Sequence, residues 1–312
     1  MAKVCVTGGA GFIGSHLVEM FIQSGHEVFV IDDLSTGFRE NLTSEVALHQ
    51  VDICSEEAAK LILNEKPSII VHAAAQMSVR VSMENPLLDS RVNVVGIANL
   101  LHAAKELKDQ PRLVFLSTGG AIYGEQNNFP ANEEHSILPT SLYGINKFVG
   151  ERYLDLWHRS YGLSYAALRL GNVYGPRQNP HGEAGVVAIF YQLLLSEKTP
   201  TIYGSGEQTR DFVYVSDVVE AVRVASISNE SGSFNIGTGL ETSVNELYGE
   251  ICATIKSELT PNYAEARAGE QQRSSIDPAK AAEVFKWRPS FDLKAGLEKT
   301  AQWFRSNDRS GE

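Results

Sequence analysis

The chain has 312 residues, 43% of them apolar, and a formal net charge of −11 at neutral pH. That length can bury one large or two modest cores. The acidic balance, with no dense Lys/Arg block, excludes nucleic acid and an anionic membrane as expected partners, although a local basic pocket for a small anion is compatible with it. The cysteines Cys5, Cys54 and Cys252 are odd in number and lack metal-ligand spacing. No metal site is therefore expected, and the thiols are read as reduced. With no leader-type segment and no apolar run of membrane length, a cytoplasmic location is expected.

The first apolar run, KVCVTG, passes into TGGAGFIG and then into helical spacing at Ile13, Leu17, Met20 and Phe21. In such a strand-to-helix junction Gly8 permits the tight turn, Gly11 lets backbone approach a pyrophosphate and Gly14 allows close helix packing. The helix N-terminus adds N–H donors. A plain tight turn is the alternative reading. The second run, EVFVIDD, ends in Asp32 and Asp33, where a carboxylate accepts adenosine ribose hydroxyls and repels a 2′-phosphate, favouring NAD. Arg39 would soften that preference unless it is simply solvated. Asp52, closing the third run, is a candidate for the adenine amino group or a turn-forming Asp.

Further compact runs, PSIIVHAA, RLVFLST and SYAALRLGN, alternate with helical patterns. The alternation predicts an α/β fold of Rossmann type, a doubly wound parallel sheet over residues 1–171. A smaller α/β substrate region is expected over 172–312, with short strands at TIYG and FVYV, helices near 217–227 and 243–257, and chain crossovers between the two parts.

The fifth run ends in Ser117 and Thr118, followed by Gly119 and Gly120. Tyr143 and Lys147 open an amphipathic helix after it, and their i,i+4 spacing puts both on one face beside the expected cofactor crevice. An ammonium close to the phenol, with cationic nicotinamide nearby, is expected to stabilise phenolate and pull its pKa toward neutrality, making Tyr143 a general base for a sugar hydroxyl.

Taken in order, TGGAGFIG, DDLSTG, HAAAQMSV, STGGAIYG, SLYGINK, LRLGNVYGPRQ, RDFVYVSD and FKWRPSFDLKAGLEKT resemble the extended short-chain dehydrogenase/reductase family. Within it they are most similar to the UDP-glucose (UDP-galactose) 4-epimerases. The resemblance implies NAD-dependent epimerisation at C4 of a UDP-hexose through a transient 4-keto sugar, with Tyr143, Lys147 and Thr118 catalytic and Ser117 as substitute for Thr118. Counted from Tyr143 the family's hydroxyl falls on Thr118, and counted from Tyr123 it falls on Gly119, so the loop carries one extra residue.

The resemblance further implies NAD contacts at Gly8, Gly11, Phe12, Ile13, Gly14, Asp32, Asp33, Ser35, Thr36, Gly37, Asp52, Ile53, Ala73, Ala74, Ala75 and Asn93, together with Tyr143 and Lys147. For the UDP-sugar it implies Ser78, Asn172, Val187, Tyr203, Arg210, Arg267, Glu270 and Ser274. Asn172 and Arg210 would hold the diphosphate, with Tyr203, Val187 and the looser candidate Phe190 flanking uracil. Asp-pairing of Arg210 and core packing of Tyr203 stay open as alternatives. Relatives that eliminate water or decarboxylate carry an acid after the Thr, and Gly119-Gly120 offers none, so those reactions are disfavoured. A small Ser274 leaves room for an N-acetyl group. For a uronate, Arg80 is the available partner, unless it is merely solvated. The resemblance implies a homodimer built on a four-helix bundle, using helices near 88–106 and 143–160, with Leu154 and Trp157 as interface or core.

Overall fold

The computed structural model describes residues 1–180, 185–266 and 271–307. In chain order the first half runs β1 (Lys3–Thr7), α1 (Phe12–Gln23), β2 (Glu27–Asp32), β3 (Ala47–Gln50), α2 (Glu56–Glu65) and β4 (Ile69–His72). It continues with α3 (Val79–Glu84), α4 (Pro86–Ser90), a π-turn (Arg91–Val95), α5 (Gly96–Lys105), β5 (Arg112–Thr118), α6 (Gly119–Ile122), α7 (Leu142–Tyr161) and β6 (Tyr165–Leu170). The second half contributes β7 (Asn172–Tyr174), α8 (Val186–Leu195), β8 (Thr201–Tyr203), β9 (Thr209–Arg210), β10 (Phe212–Tyr214), α9 (Val215–Ile227) and β11 (Gly232–Ile236). Then come β12 (Thr242–Ser243), α10 (Val244–Ile255), β13 (Asn262–Ala264), α11 (Ala279–Val284) and α12 (Leu293–Ser306).

Seven strands form one all-parallel sheet in the order β11-β6-β5-β4-β1-β2-β3. Its central strands are apolar on both sides: all four residues of β4 and all seven of β5 are buried, as a sheet covered by helices on both faces requires. One face packs under α1 and α9, where Leu17, Val18 and Phe21 meet Val218, Ala221 and Val222. The other packs under α2, α5 and α7 through Ile62, Ile97, Leu100 and Leu154. A separate core in the C-terminal part joins α8, α10 and α12 through Tyr191, Leu247 and Leu297.

The six expected strands all appear, and the sheet gains a seventh. β11, read from GSFNI, comes from beyond residue 171, and α9 covers the same sheet. The strand order reverses between β1 and β4, which places a crevice at their C-terminal ends, the position where open α/β sheets bind ligands. No described helix is long and apolar enough to cross a membrane.

Candidate active site

The cofactor side of the crevice is built from the β1 turn. Gly8 has φ +68, and a Cβ there would sit 2.6 Å from the Ala74 nitrogen, so the turn after β1 and the chain leaving β4 touch directly. Ala73 and Ala74 donate their N–H groups to the Thr7 carbonyl and hydroxyl. A Cβ on Gly14 would collide with the Gly8 carbonyl, whereas one on Gly11 would meet only that carbonyl, at 3.2 Å. Gly11 thus leaves space beside the N-terminus of α1, which carries no side-chain cap and no acid in its first turn. The amides of Phe12, Ile13 and Gly14 there form a cradle suited to a dinucleotide pyrophosphate.

At the end of β2 the Asp32 carboxylate accepts the Ala10 and Leu34 N–H groups, each at 2.9 Å, which ties β2 to the glycine turn. Asp33 is exposed and accepts the Ser35 N–H and hydroxyl. Thr36 is exposed beside it, and Gly37 packs 3.1 Å (as a built Cβ) from an Asp32 oxygen. Asp52 accepts the Cys54 N–H at 2.8 Å, as a turn-forming Asp does, and pairs with Arg91 at 2.5 Å while its carboxylate stays partly exposed. The Ile53 side chain is buried in the core over Gly96, and its carbonyl accepts the Asn99 amide at 2.8 Å. Arg39 is occupied with the Thr43 carbonyl.

The catalytic side is carried by β5 and α7. Ser141 caps α7 by accepting the Gly144 N–H, which fixes the first turn bearing Tyr143 and, one turn on, Lys147. Thr118 and Ser117 point to opposite faces of β5, as alternation demands. Thr118 accepts the Ala121 N–H as the cap of α6, and its hydroxyl acts on the Tyr143 phenol, favouring the ionised form. Ser117, proposed from sequence as substitute, instead donates to Glu151 at 2.5 Å inside a buried network and does not reach the crevice.

Lys147 is 3% exposed, donates to the Leu116 carbonyl at 2.9 Å, and lies 4.8 Å over the Phe115 ring and 6.0 Å from the Tyr143 ring centre. Among this chain's own groups, burial first and then Asp89 push Tyr143 up to about 12, against the lowering effect of Thr118. Burial brings Lys147 down to about 8, with Asp89 and Glu151 opposing it. By these residues alone, the pair is a protonated phenol beside an ammonium.

On the substrate side, Asn172 starts β7 with its amide oxygen 3.3 Å from a Cβ built on Gly120, so it faces the glycines directly. A Cβ on Gly119 would lie 2.7 Å from the end of the Ile276 side chain, so a larger residue there would have to displace it. Arg210 donates to the Thr209 carbonyl. The neighbouring Asp211 is committed to the N–H groups of Thr238, Gly239 and Ile276 and to the Thr238 hydroxyl. Tyr203 is 39% exposed, so its alternative reading as core is overturned. Val187 and Phe190 are corrected the other way, since both are fully packed in the C-terminal core and offer a uracil no surface. Ser78 is buried and caps α3. Ser274 is buried in a segment that crosses the Gly124–Gln126 loop through Ser275 and Gln126. Arg80 makes a loose pair with Glu84 at 3.9 Å. Arg267 and Glu270 lie outside the described residues.

Sequence reading missed the polar groups behind Tyr143 and Lys147: Gln76, Asp89, Asn146, Glu151 and His72. Asn146 lies between the two catalytic positions and Asp89 one turn before Asn93, which was the only local signal for them. His72 is buried, bonded to Thr7 at 2.7 Å and stacked on Phe115.

The model of the NAD dependent epimerase/dehydratase family matches residues 4–237. The chain is 43% identical over 307 residues to the putative UDP-glucose 4-epimerase of Methanocaldococcus jannaschii, covering 98% of this chain and 100% of that protein. Among solved structures, the UDP-glucose 4-epimerase of Thermotoga maritima with UDP-glucose superposes with TM-score 0.95 at 42% identity, covering 97% of this chain and 99% of the other. The Thermus thermophilus UDP-glucose 4-epimerase, in complex with NAD, gives 0.92 at 42% identity, over 98% and 99%.

Proposed function

The chain belongs to the NAD dependent epimerase/dehydratase family, and we propose that it is a UDP-glucose 4-epimerase, interconverting UDP-glucose and UDP-galactose through a transient 4-keto sugar. The carrying observation is the Thr118–Tyr143–Lys147 group at the C-terminal edge of the sheet, with the acid-free Gly119 and Gly120, packed near Ile276 and Asn172, where an eliminating enzyme needs an acid. The uncapped α1 cradle and Asp32 fit NAD, which when bound accepts the C4 hydride and returns it to the opposite face of the sugar.

This chain's own residues do the rest. Tyr143 takes the C4 hydroxyl proton and gives it back, with Thr118 aligning the phenol. Lys147, held on the Leu116 carbonyl, supplies the positive charge that favours phenolate once a cofactor's own charge adds to it. Asn172 and Arg210 are the proposed diphosphate contacts, and exposed Tyr203 is the ring available to uracil. Acceptance of N-acetylhexosamines as a second substrate class rests on the small size of Ser274 alone, since its side chain is buried.

The reading extends to a cytoplasmic enzyme of galactose metabolism that acts as a homodimer through a four-helix bundle. Supporting the dimer, Met83, Leu87, Val95, Ile145 and Leu156 are exposed along the α3 to α5 stretch and α7. Leu154 is wholly buried and so belongs to the core, whereas Trp157 bonds the Leu101 carbonyl and stays partly exposed. The test is incubation of purified protein with UDP-galactose. UDP-glucose should accumulate to a fixed equilibrium ratio without net change in reduced nicotinamide, and formation of a stoichiometric oxidised product would overturn the reading.

A further inference from the structure

Asp89 is completely buried, yet it faces no cation within hydrogen-bonding distance among the described residues. Its Oδ1 accepts the Gln76 side-chain amide at 2.6 Å and the Asn93 amide at 3.0 Å, and its Oδ2 accepts the Asn146 amide at 2.6 Å. Every partner is a donor, so the pocket is built for the ionised, acceptor-only form. A buried carboxylate without an ion partner is costly to keep, and such groups are retained chiefly where their field is used.

The three amides come from the three segments that frame the reaction site. Gln76 leaves β4 and clamps the next turn, accepting the Ser78 N–H at 2.6 Å and donating to the Ser78 carbonyl at 2.9 Å. Asn93 is carried by the π-turn, which breaks α4 from α5 and aims its amide inward, where it also donates to the Gln76 carbonyl at 2.8 Å. Asn146 lies on α7 between Tyr143 and Lys147, and it also donates to the Ser90 hydroxyl at 3.2 Å. One carboxylate therefore links the sugar-side loop, a proposed cofactor contact and the catalytic helix.

We propose that Asp89 is a positioning residue of this site, whose fixed negative charge and three amide bonds lock these segments together and set the protonation of the Tyr143–Lys147 pair. The proposal rests on the epimerase reading. Lys147 is faced by Asp89 from α4, by Glu151 from α7 and by neutral His72 from β4, while Glu151 is already neutralised by Arg169 from β6. Tyr143 is faced by Asp89 and the Thr118 hydroxyl. Asp89 is thus the unneutralised negative charge acting on both groups.

Removing that charge makes phenolate easier and the ammonium harder to hold, so both titrations move the same way. In Asp89→Asn both limbs of the pH profile of kcat/KM should slide toward acid by about one unit. A purely structural role would lower the profile without moving it. The Tyr143 ring-carbon NMR signal, assigned with Tyr143→Phe, should titrate about one unit lower in the variant. Unmoved limbs and an unmoved tyrosine titration overturn the proposal. If Asp89→Asn does not fold, Asp89→Ser, which leaves room for water among the amides, is read in the same way. Failure of both neutral variants to fold would show a structural carboxylate and overturn it too. A wild-type protein that does not epimerise UDP-galactose defeats the underlying reading, whereas an active wild type with an unshifted variant defeats this inference alone.

Discussion

Two adjacent hydroxyls, Ser117 and Thr118, end up doing unrelated things because β5 sends consecutive side chains to opposite faces. The sequence reading placed Thr118 at the site, with Ser117 as substitute, on resemblance alone, since the parity of a strand is set only when it pairs with its neighbours. Pairing of Ser117 with Arg169 and Thr118 with Leu170 decides it. Thr118→Val keeps shape but removes both the hydroxyl that acts on Tyr143 and the cap on α6. Turnover should fall by roughly ten- to a hundredfold, in line with loss of a hydrogen bond that aligns an acid/base group, with copurified nicotinamide unchanged. Wild-type turnover in that variant would remove Thr118 from the site. Tyr143 and Lys147 were legible from their spacing, but their protonation was not, because burial and Asp89 come from segments distant in the chain.

Helix α7 is held in register by more than its cap. Glu151, one turn beyond Lys147, accepts Arg169 through both carboxylate oxygens and also takes the Ser117 and Ser233 hydroxyls. Arg169 in turn donates to the Tyr123 hydroxyl, which donates to Asn235 on β11. No local pattern announces this network, since its members come from α7, β5, β6 and β11. Glu151→Ala leaves the guanidinium buried without a counter-charge and should cost about 3–5 kcal/mol of stability, measured by urea unfolding; a loss below about 1 kcal/mol would show that water takes over the pairing.

On β4, burial and then Lys147 push His72 down to about 3 from an ordinary 6.5. Its folded-state value is depressed, so between those limits the unfolded chain takes up a proton that the folded chain refuses. Stability should therefore fall as pH drops from about 6.5 toward 3 and be flat in this respect above. His72→Phe, able to keep the stack on Phe115, should reduce the loss of urea midpoint between pH 7 and 5. Equal losses in wild type and variant would assign acid sensitivity to other groups.

At the scale of the molecule, the parallel sheet was legible because short β-branched runs alternate with helical spacing over the first 171 residues. The seventh strand was not, because GSFNI opens with two small residues and lies far along the chain from β6, its partner. The same return of the chain brings the 271–276 segment across the loop after α6, where Ile276 closes the space beside Gly119. The uracil side was read less well, since Val187 and Phe190 follow a helical apolar pattern that the C-terminal core absorbs entirely.

The whole-molecule claim is that C4 is inverted by moving a hydride out and back, with Tyr143 exchanging only the hydroxyl proton. Conversion of UDP-galactose to UDP-glucose in D2O, followed by mass spectrometry of the hexose after exchangeable protons are washed back, tests this most directly. The account predicts no carbon-bound deuterium in the product. Deuterium at a ring carbon would contradict it, because inversion would then proceed by proton abstraction from carbon.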